Sequence, residues 1–108
     1  MKEFYLYSEK KIHKIINEMF TGFEIHTISK EMIRKNNFKN QNILLIVNGE
    51  LLNFFNKSFF SYNNVVIFFT TNNNLNKSFD FEARVFNKHI NINKFIDEVT
   101  TCFVTNSF

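Results

Sequence analysis

The chain has 108 residues, enough to bury one hydrophobic core and too few for two. Hydrophobic residues make up 44% and charged residues 21%, with 16 Phe, no Trp and no Pro, a composition that excludes a disordered or collagen-like polymer. Thirteen Lys and Arg against ten Asp and Glu give +3, and apart from Lys10, Lys11 and Lys14 the basic residues are scattered, so the basic stripe of a nucleic-acid module is missing.

In chain order, Phe4 to Tyr7 is an aromatic run fitting a first strand, with Ser8 placed to cap a helix. Ile12, Ile15, Ile16, Met19 and Phe20 then recur at helical spacing, and Gly22 is expected as the C-cap. Phe23 to Ile28 predicts a second strand, and Ser29 a cap for a short helix burying Met32 and Ile33. Ile43 to Val47 is a continuous apolar run, the pattern of a strand covered on both faces. After Asn48 and Gly49, a helix from about Glu50 to Phe60 is predicted to bury Leu51, Leu52, Phe55 and Phe59. Val65 to Phe69 reads as a fourth strand ending at Thr70 and Thr71, and a short helix is placed around Leu75 to Phe81. Ala83 to Phe86 reads as a fifth strand. A last helix, about Asn93 to Val104, presents Ile92, Phe95, Ile96, Val99 and Phe103.

Alternating strands and helices without hairpin turns imply right-handed crossovers and one parallel sheet. Residues 1–108 are therefore read as a single α/β domain, a doubly wound, flavodoxin-like sheet in the order 2-1-3-4-5 with helices on both faces. Ligands in such sheets bind beyond the carboxyl ends of the strands, here Tyr7 to Glu9, Asn48-Gly49, Thr70-Thr71 and Asn87-Lys88. The apolar runs are far shorter than a membrane helix needs and the start, MKEFYLYSEKK, lacks the apolar stretch of a signal peptide, which implies a cytoplasmic protein. Runs such as Asn63-Asn64 and Asn72 to Asn74, with abundant Lys, Ile and Phe, read as codon bias towards AT rather than as a functional tract.

The succession FYLYSEK, GFEIHTIS, NILLIVNGE, VVIFFTT and ARVFNKHINI, closed by an amphipathic helix, resembles a bacterial response-regulator receiver domain over nearly the whole chain. The resemblance implies an acidic pair after strand one, a phosphoacceptor Asp after strand three, a Thr or Ser after strand four and a Lys after strand five. Thr70 or Thr71 matches the switch hydroxyl and Lys88 matches the lysine, followed by His89 where the family has Pro. Asn48 stands at the phosphoacceptor position, and Tyr7, Ser8 and Glu9 stand where the acidic pair is expected. A carboxamide is not the nucleophile that phosphotransfer requires, and Glu9 alone is a poor magnesium ligand set. The loop after strand three is also read as short. The pattern is that of a degenerate receiver.

His13, His26 and His89 share no ligand spacing, and a lone Cys102 excludes an internal disulfide, so neither a metal nor a cofactor is expected. With only Gly22 and Gly49, no glycine-rich phosphate loop is available. Phe79, Phe81, Phe86, Phe103 and Phe108 gather in or near the last helix-strand-helix portion, a predicted interface for a protein partner or a second copy. The function so implied is a non-enzymatic, phosphorylation-independent regulatory domain, stand-alone or the leading part of a transcription regulator, with DNA contacted only through an output domain outside this sequence. The alternative is a small nucleotide- or nucleic-acid-binding α/β domain.

Overall fold

The computed structural model describes residues 2–35, 38–48, 54–70 and 83–105. Among them the chain runs β1 (Glu3–Tyr7), α1 (Lys10–Met19), β2 (Glu24–Thr27), α2 (Lys30–Arg34), β3 (Asn42–Val47), α3 (Lys57–Tyr62), β4 (Asn64–Phe69), β5 (Arg84–Asn87) and α4 (Ile92–Thr105). All five strands are parallel, in the order β2-β1-β3-β4-β5, so the doubly wound topology inferred from the sequence is the topology observed.

Strand alternation divides the core into two layers. Leu44 and Ile46 of β3 join Phe4, Leu6 and Val66 against α1 and α4, meeting Ile16, Phe20, Phe95, Val99 and Phe103. Ile43, Leu45 and Val47 join Val65, Ile67 and Phe69 on the opposite side, meeting Ile33 of α2 and Phe59 and Phe60 of α3. Both faces of β3 are thus covered, which is why its sequence lacks alternation.

The Phe surplus is absorbed largely as ring-on-ring packing. Phe4 alone has Phe20, Phe23 and Phe103 at centroid distances of 5.5, 5.4 and 5.0 Å. This overturns the expectation that Phe103 is an interface residue, because only 5% of it is exposed. Phe86 is half-buried, 5.7 Å from the Phe95 ring, and also belongs with the core. Phe79, Phe81 and Phe108, together with Thr71, lie outside the described residues, as does the short helix placed around Leu75 to Phe81.

Ser29 caps α2 as predicted, its Oγ accepting from the Met32 N–H at 3.2 Å, but α2 is a single turn that buries Ile33 and leaves Met32 40% exposed. Ser8 does not cap α1; Glu9 is the N-cap residue, and its carbonyl accepts from the Ile12 and His13 N–H groups. Gly22 is not a left-handed cap either. The helix stops at Met19 because Phe20, buried to 3%, turns inward with its N–H still bonded to the Ile16 carbonyl.

The helix predicted from about Glu50 to Phe60 is displaced. Phe54, Phe55 and Asn56 lie outside any α-helix, and α3 starts at Lys57, with the Asn56 side chain accepting from the Ser58 N–H. Residues 49–53, including Leu51 and Leu52, lie outside the described residues. The short loop read after strand three falls on these same positions and lies outside the described residues too.

Asparagines hold the amino edge of the sheet together. Asn63, 4% exposed, donates to the Phe38 and Phe59 carbonyls and accepts from the Gln41 N–H. Asn40 takes a φ of 60°, a conformation that Asn tolerates better than most residues, and its N–H meets the Tyr62 carbonyl at the end of α3. Asn42 and Asn64 donate to the Phe103 and Cys102 carbonyls of α4.

Candidate functional site

Register places three of the predicted residues in one row. Val47 pairs with Phe69 and Phe69 with Asn87, so Asn48, Thr70 and Lys88 each stand one residue beyond the last rung of three adjacent strands. The Thr70 N–H donates to the Val47 carbonyl at 3.0 Å, which extends the β3–β4 ladder to that row. All three side chains are exposed.

The acidic-pair positions do not join them. Tyr7 is the last residue of β1, half-buried, with its ring edge-on to Phe55 at 5.9 Å on the α2/α3 side. Burial pushes its phenol above the ordinary value of 10.0, so it stays neutral where a magnesium site needs anions. Ser8 is turned to the Glu9 carbonyl at 3.1 Å. Glu9 is exposed and only 3.9 Å from Lys11, a solvated pair of little energetic weight.

Among the described residues, one group of His, Cys, Asp or Glu is close enough to share an ion: Glu3, Glu24 and His26, with ligand atoms within 4.8 Å of one another. It sits on β1 and β2 near their amino ends, away from the row. His26 Nε2 already contacts Glu3 at 2.9 Å, which accounts for the grouping as an exposed hydrogen-bonded pair. Cys102 is buried in the α4 layer, and burial raises its thiol above the ordinary value of 9.0, with Glu98 adding to the rise and Arg84 opposing it. It is packed as a small apolar side chain and is not an activated nucleophile.

Sequence reasoning missed a pocket beside the row. It has a volume of about 340 Å³ and opens between α1 and α4. Ile12, Ile16 and Met19 of α1 form one wall, and Ile90, Ile92 and Phe95 of α4 and its leading turn form the other. Ile46 and Phe68 make the floor. Thr70 and Lys88 supply its polar lining, so strand alternation carries these two residues to the α1/α4 side of the sheet.

The turn that carries Lys88 is tightly built. Asn87 Oδ1 accepts from the His89 N–H at 2.9 Å, and the Ile90 N–H returns to the Asn87 carbonyl at 3.1 Å. Asn91 then caps α4, its Oδ1 accepting from the Asn93 and Lys94 N–H groups at 2.9 and 3.4 Å. A Pro after Lys88 would remove the His89 N–H that closes this turn, so the departure at His89 has a local reason.

Among the described residues, no helix is long and apolar enough to cross a membrane. Compared with protein-family models, with curated proteins and with solved structures, the sequence matches none of them.

Proposed function

We propose that this domain is a regulatory binding module, similar in plan to a response-regulator receiver, that works through contacts rather than by accepting a phosphoryl group. The observation that carries this reading is the row at the carboxyl edge of the sheet: a carboxamide, a hydroxyl and an ammonium at Asn48, Thr70 and Lys88, with the neighbouring end of β1 occupied by a neutral phenol. Phosphotransfer to a side chain of this row lacks both an acceptor carboxylate and the paired carboxylates that hold magnesium. A cytoplasmic setting and a protein partner, or a second copy, belong to the same reading. The contact face is proposed along β5 and α4, where Ile92 and Val104 are exposed to 56% and 42%.

Incubation with acetyl phosphate and magnesium tests this directly. Intact-mass measurement is expected to show no phosphoryl adduct on the native chain. Asn48→Asp is expected to remain unmodified as well, since the substitution restores the nucleophile without its metal site. An adduct on Asp at 48, or magnesium-dependent amide shifts confined to residues 48, 70 and 88 of the native chain, overturns the reading.

A further inference from the structure

We propose that the pocket between α1 and α4 binds a medium-chain organic acid, its tail held among the isoleucines and its carboxylate at Lys88 and Thr70. The inference goes beyond the regulatory reading and does not depend on it, because it rests on the cavity alone.

Size comes first. The pocket is open to solvent between α1 and α4, and its volume of about 340 Å³ is within the range of a small ligand site, with room for roughly ten heavy atoms at the ~30 Å³ that a water occupies in the liquid. Composition sets the class of occupant. Among the described residues, eight of the ten lining side chains are apolar, so water finds few hydrogen-bond partners among them. The two polar side chains follow β4 and β5, so polarity is gathered at the carboxyl edge of the sheet.

A ligand that fits must therefore be apolar along most of its length and polar at one end. Charge then fixes the sign of that end. Among the described residues, Lys88 is the one ionic side chain in the lining and no carboxylate accompanies it, which favours an anion over a cation or a zwitterion. The amino end of α4, fourteen residues long, lies on the same wall and adds a favourable dipole for negative charge. A single cation without a glycine-rich loop is too little for a di- or triphosphate, whereas one carboxylate matches one ammonium and one hydroxyl. Ile92, exposed to 56% although it lines the pocket, is the lip whose burial a bound tail would complete.

Octanoate, with 1-octanol and acetate as controls, is the probe for an amide-resolved NMR titration of the full chain. Octanoate is expected to give saturable shifts confined to the pocket, among them Ile46, Phe68, Thr70 and Lys88, with acetate giving none. Losing the ionic contact, in octanol or in Lys88→Gln with octanoate, is expected to weaken binding about tenfold. K88Q should leave the octanol affinity unchanged. Ile12→Trp, which fills the cavity, is expected to abolish both, and the exposed-lip variant Ile92→Asn to weaken both without endangering the fold. Absence of saturable shifts, shifts placed elsewhere, or K88Q binding octanoate as well as the native chain overturns the proposal. None of these results alters the acetyl phosphate experiment, so the two readings fail separately.

Discussion

Gly22 and Asn63 show how a residue type can mislead when read from sequence alone. Gly22 suggests a left-handed cap, yet the backbone there needs no positive φ, and a Cβ added to it meets nothing within 4 Å. Its freedom serves the unfolded chain more than the folded one. Gly22→Ala is accordingly expected to be neutral or to stabilise by about 0.5 kcal/mol, measured as a shift of the urea midpoint at unchanged slope. A loss of more than about 1 kcal/mol would mean that glycine is required there after all. Asn63 errs the other way: in a run attributed to codon bias, it is the one polar residue buried among the described residues, and it satisfies three backbone groups, two in the loop before β3 and one on α3. Only those tertiary partners distinguish it from Asn64, although its place between a helix and an apolar strand is a signal that could have found it.

Between elements, the amino edge of the sheet anchors the far end of α4. A helix leaves its last carbonyls without intrahelical donors, and α4 has no basic residue in its last turn to meet them. The Asn42 and Asn64 side chains do so instead, at 3.0 Å to Phe103 O and 2.8 Å to Cys102 O, and Asn64 Nδ2 also donates to Asn42 Oδ1 at 2.9 Å. Asn42→Ala and Asn64→Ala are each expected to cost about 1–2 kcal/mol in denaturant unfolding, and the double variant less than the sum, because the two amides share a bond. Additive losses would show that each amide acts alone. Strands are the legible elements here: β3 and β4 announce themselves by unbroken apolar runs, rich in Ile, Val and Phe and bounded by polar residues. Helix starts are less so, because apolar spacing through Leu51, Leu52, Phe55 and Phe59 fits one continuous helix while the Asn56 cap resets it. Once the strand order was inferred, the row of Asn48, Thr70 and Lys88 followed, since topology alone brings strand ends together. The pocket beside it did not follow. It is a gap left between the side chains of α1 and α4, and no periodicity records how completely two helices fill the space over a sheet.

At the scale of the whole molecule, the sheet separates two layers, and each carries a group whose burial, partial for Tyr7 and nearly complete for Cys102, resists ionisation. Tyr7 belongs with the α2/α3 layer and Cys102 with the α1/α4 layer. Burial raises both above their ordinary values of 10.0 and 9.0. The folded state therefore holds these protons more tightly than the unfolded chain does. Stability from them is fully present below the unfolded values and is lost as pH rises through the folded ones. Unfolding free energy should accordingly stay flat with respect to these two groups up to about pH 9 and decline beyond it. Because they sit in different layers, the decline should come in separable parts. Cys102→Ala is expected to remove the part that begins near pH 9, and Tyr7→Phe the part that begins near pH 10. Urea unfolding of the native chain and of both variants across the alkaline range measures each contribution. A native chain whose stability rises with pH above 9, or a slope that neither variant alters, would show that neither proton is held by burial. The same burial makes a kinetic statement about the thiol. In the native state Cys102 should react with a thiol reagent no faster than the molecule opens, so its labelling rate should track global stability, falling in any variant that stabilises the sheet and rising in Asn64→Ala, which loosens the helix carrying it.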